Sequence, residues 1–142
     1  MEVKLCYKTY DCKLSAGACK YFTDKTGLDL QTVFGDYIEK SIDLQGVSLI
    51  NRMQSLSRLY TRGIASLALY SIIKPLNDSV ELEEIEDATY RVSWQLSDRP
   101  DDLSEPWPVV MLDIAFQIND YFNNNIPKKK VDILDEQASK TK

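Results

Sequence analysis

The side chains best placed for acid–base or metal chemistry are a run of carboxylates, Glu81, Glu83, Glu84, Glu86 and Asp87, and three cysteines, Cys6, Cys12 and Cys19. Carboxylates at this density suit a general acid and base pair or a divalent cation. The run lacks the Asp-x-Asp-x-Asp-Gly order of a calcium loop, and the chain contains no His to ligate a transition metal. Absence of His also removes Ser-His and Cys-His nucleophile pairs and the commonest general base. The cysteines are odd in number, widely spaced and without a C-x-x-C pair, so they read as reduced thiols packed as small hydrophobes. No catalytic residue, metal site or cofactor is expected. The carboxylates read instead as a solvated helix start, where negative charge meets the positive end of the helix dipole.

The elements that must carry these side chains fit one domain. The chain has 142 residues, 44% of them apolar, with 17 Lys and Arg against 22 Asp and Glu for a net charge of -5. A chain this long buries about 68–70% of its unfolded surface and needs no disulfide or metal staple. The acidic balance argues against a general nucleic-acid binder, because phosphate binding draws on Lys and Arg. Arg58 and Arg62, one helical turn apart, keep a small DNA-binding regulator as the alternative. The N-terminus carries no basic segment followed by an apolar run, so a cytosolic protein is expected. The most apolar stretch, 64–73, is ten residues long, where a membrane span needs about 20.

Two short runs of β-branched and aromatic residues, 3–7 and 10–14, predict an N-terminal hairpin. Ser15 is placed to cap a first helix with Ala18, Cys19 and Phe22 on one face, and Gly27 to end it. Asp29 is placed to cap a second, whose stripe is Leu30, Val33, Phe34, Tyr37 and Ile38. A third, long helix is predicted over 47–73, with Leu49, Met53, Leu56, Tyr60, Ile64 and Leu67 on one face, Gly63 as a weak point and Pro75 closing it. Ser79 opens a fourth, with Leu82, Ile85, Thr89, Val92 and Leu96 inward. A polar loop follows over 98–102. Ser104, Pro106 and Pro108 start a fifth helix, with Met111, Ile114, Ala115, Ile118 and Phe122 facing the core. The result is a mainly α domain over 1–126, with a short N-terminal hairpin, about five helices and a mobile tail over 127–142.

Charge is segregated along this plan. Between Leu44 and Asn77 there is no acid, only Arg52, Arg58, Arg62 and Lys74, whereas 78–102 holds nine acids against Arg91 and Arg99. Either these charges form a solvated face with pairs such as Asp87 and Arg91, or copies meet head to tail. In the second case Arg52, Arg58 and Arg62 of one copy lie near Glu81, Glu83, Glu84 and Asp87 of another, in a homo-oligomer. The stretch 64–73 is more apolar than one core stripe requires. It is either enclosed by neighbouring helices or presented to a protein client through Ile64, Leu67, Tyr70 and Ile73, with Phe34 beside them.

In the N-terminal third of this chain, about residues 1–45, the hairpin, the Phe22-Thr23-Asp24-Lys25-Thr26-Gly27 helix end and the second helix over 30–38 resemble the start of the tail assembly chaperones of long-tailed, siphovirus-type bacteriophages. In that family the hairpin turn often carries Asn-Gly; here it falls at Cys6 and Tyr7. The resemblance implies a non-enzymatic protein of the host cytoplasm, absent from the mature virion. It implies two partners, the tape measure protein, which is held soluble, and the tail tube protein, which polymerises around it. Neither nucleic acid nor membrane is implied.

Overall fold

A computed structural model describes residues 1–5, 8–91 and 107–124, with the side chains of Tyr90, Arg91 and Asn124 outside the description. Strands β1 (Glu2–Leu5) and β2 (Lys8–Asp11) pair antiparallel, with Leu5 opposite Lys8 and Glu2 opposite Asp11. Both strands lie earlier than the sequence pattern predicts. The pleat decides this: Val3, Leu5, Tyr10 and Cys12 are all buried, which places one face of the hairpin on the core. Beyond β2, Cys12 donates to the Met1 carbonyl and Lys13 to that of Ile72.

Helix α1 (Ala16–Thr26) starts at Ser15, whose hydroxyl accepts from the Ala18 amide, and ends at Gly27, left-handed at φ 73°. Glycine adopts that conformation without the Cβ clash other residues meet. Helix α2 (Leu30–Asp43) is capped by Asp29, which accepts from both the amide and the hydroxyl of Thr32. Its stripe is buried through Leu30, Val33, Phe34 and Tyr37.

The long third helix of the sequence reading is two helices, α3 (Leu49–Ser57) and α4 (Arg62–Ile73). Amides of Arg58 and Leu59 reach back only three residues, to Ser55 and Leu56, which tightens and ends α3. The Thr61 hydroxyl then accepts from the Ile64 amide and starts α4 afresh. Breaking the helix resets its phase. Ala65, Ala68, Leu69, Ile72 and Ile73 turn inward, Ile64 and Leu67 are left half-buried, and Leu49 is 68% exposed rather than in the core.

A 3-10 turn over Lys74–Leu76 follows. Asn77 ties it down, its side-chain amide donating to the carbonyls of Asp11 and Ile73. Helix α5 (Leu82–Arg91) begins three residues later than Ser79. Val80 is buried there and donates to the Asn77 carbonyl, so 77–80 is a turn. On α5, Ile85 and Thr89 are fully buried, and the Thr89 hydroxyl is satisfied by the Ile85 carbonyl. Val92, Leu96, the loop over 98–102, Ser104 and Pro106 lie outside the described residues. Helix α6 (Trp107–Asn124) buries Met111, Ile114, Ala115 and Ile118, whereas Phe122 is 45% exposed and outside the core.

The protein is mainly helical with an N-terminal hairpin, as the sequence pattern predicts, and the described residues form six α-helices. One apolar cluster takes in the hairpin and all six. Within it α4 packs on α1 and α5, and α6 on α2, α3 and β1. The tail over 127–142 lies outside the described residues.

Candidate protein-binding groove

The inward phase of α4 leaves one stripe at the surface. Ile64, Leu67, Tyr70 and Lys74 are half-buried and recur at helical spacing, so they form an edge along α4 where it packs on α1. On α1, Gly17 is exposed and Tyr21, one turn on, is half-buried. A groove of about 390 Å³ opens between them, lined by Gly17, Tyr21, Tyr70, Lys74, Pro75 and Asp78 among others. A Cβ at Gly17 would meet only the Ser15 hydroxyl at 3.9 Å, so the missing side chain is part of the open space.

Two tyrosines form the wall. The rings of Tyr21 and Tyr70 lie 5.7 Å apart and 58° inclined, a tilted pair of the kind favoured by aromatic quadrupoles. The Lys25 ammonium sits 5.8 Å from the Tyr21 ring centre. Burial raises the Tyr70 phenol above its ordinary range, with Tyr21 and the Glu81 carboxylate adding to the shift. Tyr70 therefore stays a neutral donor at physiological pH. The Lys74 ammonium donates to the carbonyls of Asp78 and Val80, which holds it against the turn beyond α4. Such a groove offers apolar and aromatic contact with a charged rim, and among the described residues no cluster of three or more His, Cys, Asp or Glu is placed to hold a metal.

The predicted client residues divide. Tyr70 lines the groove, and Leu67 and Ile64 lie along the same edge. Phe34 and Ile73 do not belong to any surface; they are 1% and 0% exposed. Phe34 sits on the stripe by which α2 meets the core, and Ile73 on the inward face of α4, so both act in packing. No sequence signal singled out Gly17 and Tyr21, although their i, i+4 spacing on α1 matches that of Tyr70 on α4 and Lys74 just beyond its end.

The predicted charge partners also divide. Glu84 is engaged within the chain, accepting from the Tyr10 hydroxyl at 3.0 Å and lying 3.6 Å from the Lys8 ammonium. Arg52 is half-buried and donates to the Val47 carbonyl at 3.0 Å. Arg62 is half-buried and also has a partner. Arg58, Glu81, Glu83 and Asp87 are exposed. Arg91, the proposed partner of Asp87, has its side chain outside the described residues.

Of the cysteines, Cys12 is fully buried and Cys19 half-buried, both as free thiols, and burial pushes the Cys12 thiol up to about 11. Cys6 lies outside the described residues. No described helix is long and apolar enough to cross a membrane. Comparison with protein-family models, curated proteins and solved structures finds no match.

Proposed function

We propose that this chain is a non-enzymatic assembly chaperone of long-tailed bacteriophages, which holds the tape measure protein soluble while tail tube subunits polymerise around it. The observation that carries this proposal is the half-buried edge Ile64, Leu67 and Tyr70, running into a groove walled by Tyr21 and Tyr70. A holdase for a long helical client needs an apolar surface that is accessible yet too small to drive collapse of the free protein. A side-chain-sized groove beside a helical edge meets that need, because an amphipathic client helix can lay anchors into it at i, i+3 and i+4. The hairpin and the two capped helices of the resemblance support the same assignment.

The test is co-expression with a tape measure protein of a long-tailed bacteriophage. Wild type is expected to keep the client in the soluble fraction. Tyr70→Ala and Leu67→Ala are expected to fold with little loss of thermal midpoint and to lose most of that solubilisation, as interface anchors do. Ile73→Ala serves as the contrast, costing about 2–5 kcal/mol of stability through the cavity it leaves. If Tyr70→Ala and Leu67→Ala remain folded and solubilise the client as well as wild type, the groove is not the client site.

A further inference from the structure

Nothing in the residues between α3 and α4 forces the chain to bend. Arg58, Leu59, Tyr60 and Thr61 include no Gly or Pro, the usual causes of a sharp break. Arg58 is already near helical backbone, at φ -93° and ψ -9°. Thr61 has a helical φ of -70°, and only its ψ, at 161°, is extended. Leu56, Tyr60, Ile64 and Leu67 meanwhile keep one apolar stripe straight across the corner. The bend is therefore held by the Thr61 cap and by tertiary packing, not by the local chain.

The corner also divides the fold in two. The hairpin, α1, α2 and α3 precede it, and Tyr60 stays with them because its hydroxyl donates to Asp36 on α2. Helices α4, α5 and α6 follow it. The halves are joined where α4 packs on α1 and α6 on α2, α3 and β1. Polar contacts join them as well: Tyr10 donates to Glu84, the Asn77 side chain donates to the Asp11 carbonyl, and the Gln117 side chain bonds both backbone groups of Glu2.

We propose that Thr61 is a hinge, and that two copies of the chain exchange halves by straightening α3 and α4 into one helix over 49–73. Each copy then lays α4, α5 and α6 on the hairpin, α1, α2 and α3 of the other. The contacts between halves are re-formed between copies, so the core keeps its composition and the change is confined to the hinge. There the Thr61 cap is lost, while amides that reach back only three residues or to a side chain gain full i, i+4 partners. Exchange of this kind is reciprocal and stops at two copies. It gives the groove one wall from each copy, Tyr21 from one and Tyr70 from the other. Like charge opposes it, because Arg58 and Arg62 flank the hinge and both copies bring theirs to the two-fold. Salt screens that repulsion.

Refolding from denaturant at high protein concentration and high salt, followed by size-exclusion chromatography with light scattering, tests the hinge. Wild type is expected to give monomer and a discrete dimer that stays dimeric on dilution until it is unfolded, because exchange back requires the halves to separate. Thr61→Ala removes the cap, favours helix at the hinge and is expected to raise the dimer share several-fold. Arg62→Pro is expected to abolish the dimer, since proline is tolerated at the first position of α4 and holds the preceding Thr61 extended. Thr61→Asp, which keeps a cap acceptor, is a second lock should Arg62→Pro lose its cooperative thermal transition. Absence of the dimer from both wild type and Thr61→Ala, a dimer that falls apart on dilution, or a locked variant that dimerises as fully as wild type would each overturn the proposal.

Discussion

The hydroxyl of Tyr10 on β2 donates to a carboxylate oxygen of Glu84 on α5 at 3.0 Å, across 74 residues of sequence. Lys8 reinforces this junction, lying 3.6 Å from the other Glu84 oxygen and 4.9 Å from the Tyr10 ring centre. A carboxylate in an apparently uniform acidic run thus pins the hairpin to the helical body, and its neighbours Glu83 and Asp87 stay in solvent.

Tyr10→Phe is expected to lower stability by about 1 kcal/mol, the usual net worth of such a hydrogen bond. In a domain of this size that is a fall of roughly 2–4 °C in thermal midpoint. Glu83→Gln is expected to change the midpoint by less. A double-mutant cycle over Tyr10→Phe and Glu84→Gln is expected to show coupling, while Lys8→Met contributes little because its ion pair is largely exposed.

Thr61 and Gly63 set the boundary between α3 and α4, and substitutions at the two are expected to act in opposite directions. Thr61→Ala removes the acceptor for the Ile64 amide and is expected to cost about 0.5–2 kcal/mol. Gly63→Ala, inside α4 and exposed, places a Cβ that meets only the Thr61 hydroxyl at 3.8 Å. It is expected to gain up to about 0.5–1 kcal/mol by favouring the helix. Denaturant midpoints at unchanged slope would register both.

What was legible in the sequence was local chemistry. Ser15, Gly27 and Asp29 cap helices where their side chains or their lack of one demand it. The break at 58–61 was hidden because Leu56, Tyr60, Ile64 and Leu67 keep helical spacing straight across it, while the capping Thr61 looks like any polar residue on a helix. Once the phase is lost, burial can no longer be read from the stripe: Leu49 moves outside and Ile73 inside. The groove was illegible for another reason. Tyr21 and Tyr70 meet only through the packing of α1 on α4, a long-range contact that no local pattern encodes.

Cys12 is expected to resist thiol reagents in the native protein. Its sulfur is fully buried and burial pushes the thiol up to about 11 from an ordinary 9.0, so the thiolate that attacks is scarce at neutral pH. Cys19 is shifted in the same direction but half-buried. Peptide mass analysis after brief labelling at pH 8 is expected to find Cys19 modified ahead of Cys12, and Cys12 labelled fully once denaturant is added. Rapid native labelling of Cys12 would mean that the hairpin opens readily from the core.

Tyr60 makes stability sensitive to alkali. Burial, followed by the hydrogen bond to Asp36 and the charge of that carboxylate, pushes the Tyr60 phenol up to about 12 from an ordinary 10.0. The folded chain therefore holds this proton more tightly than the unfolded chain does. The associated stability is fully present below pH ~10 and is lost as pH rises through about 12. Tyr37, its ring 6.1 Å from that of Tyr60, is raised in the same direction by burial, so it adds a loss of the same sign at still higher pH. Asp36→Asn removes the repelling charge and is expected to bring Tyr60 phenolate absorbance in at lower pH while flattening the fall of thermal midpoint over that range. Tyr60→Phe is expected to abolish that component and leave the part due to Tyr37, Tyr70, Cys12 and Cys19, all raised in the same direction. If the midpoint of Tyr60→Phe falls with pH as steeply as that of wild type, the contact with Asp36 carries no alkaline linkage.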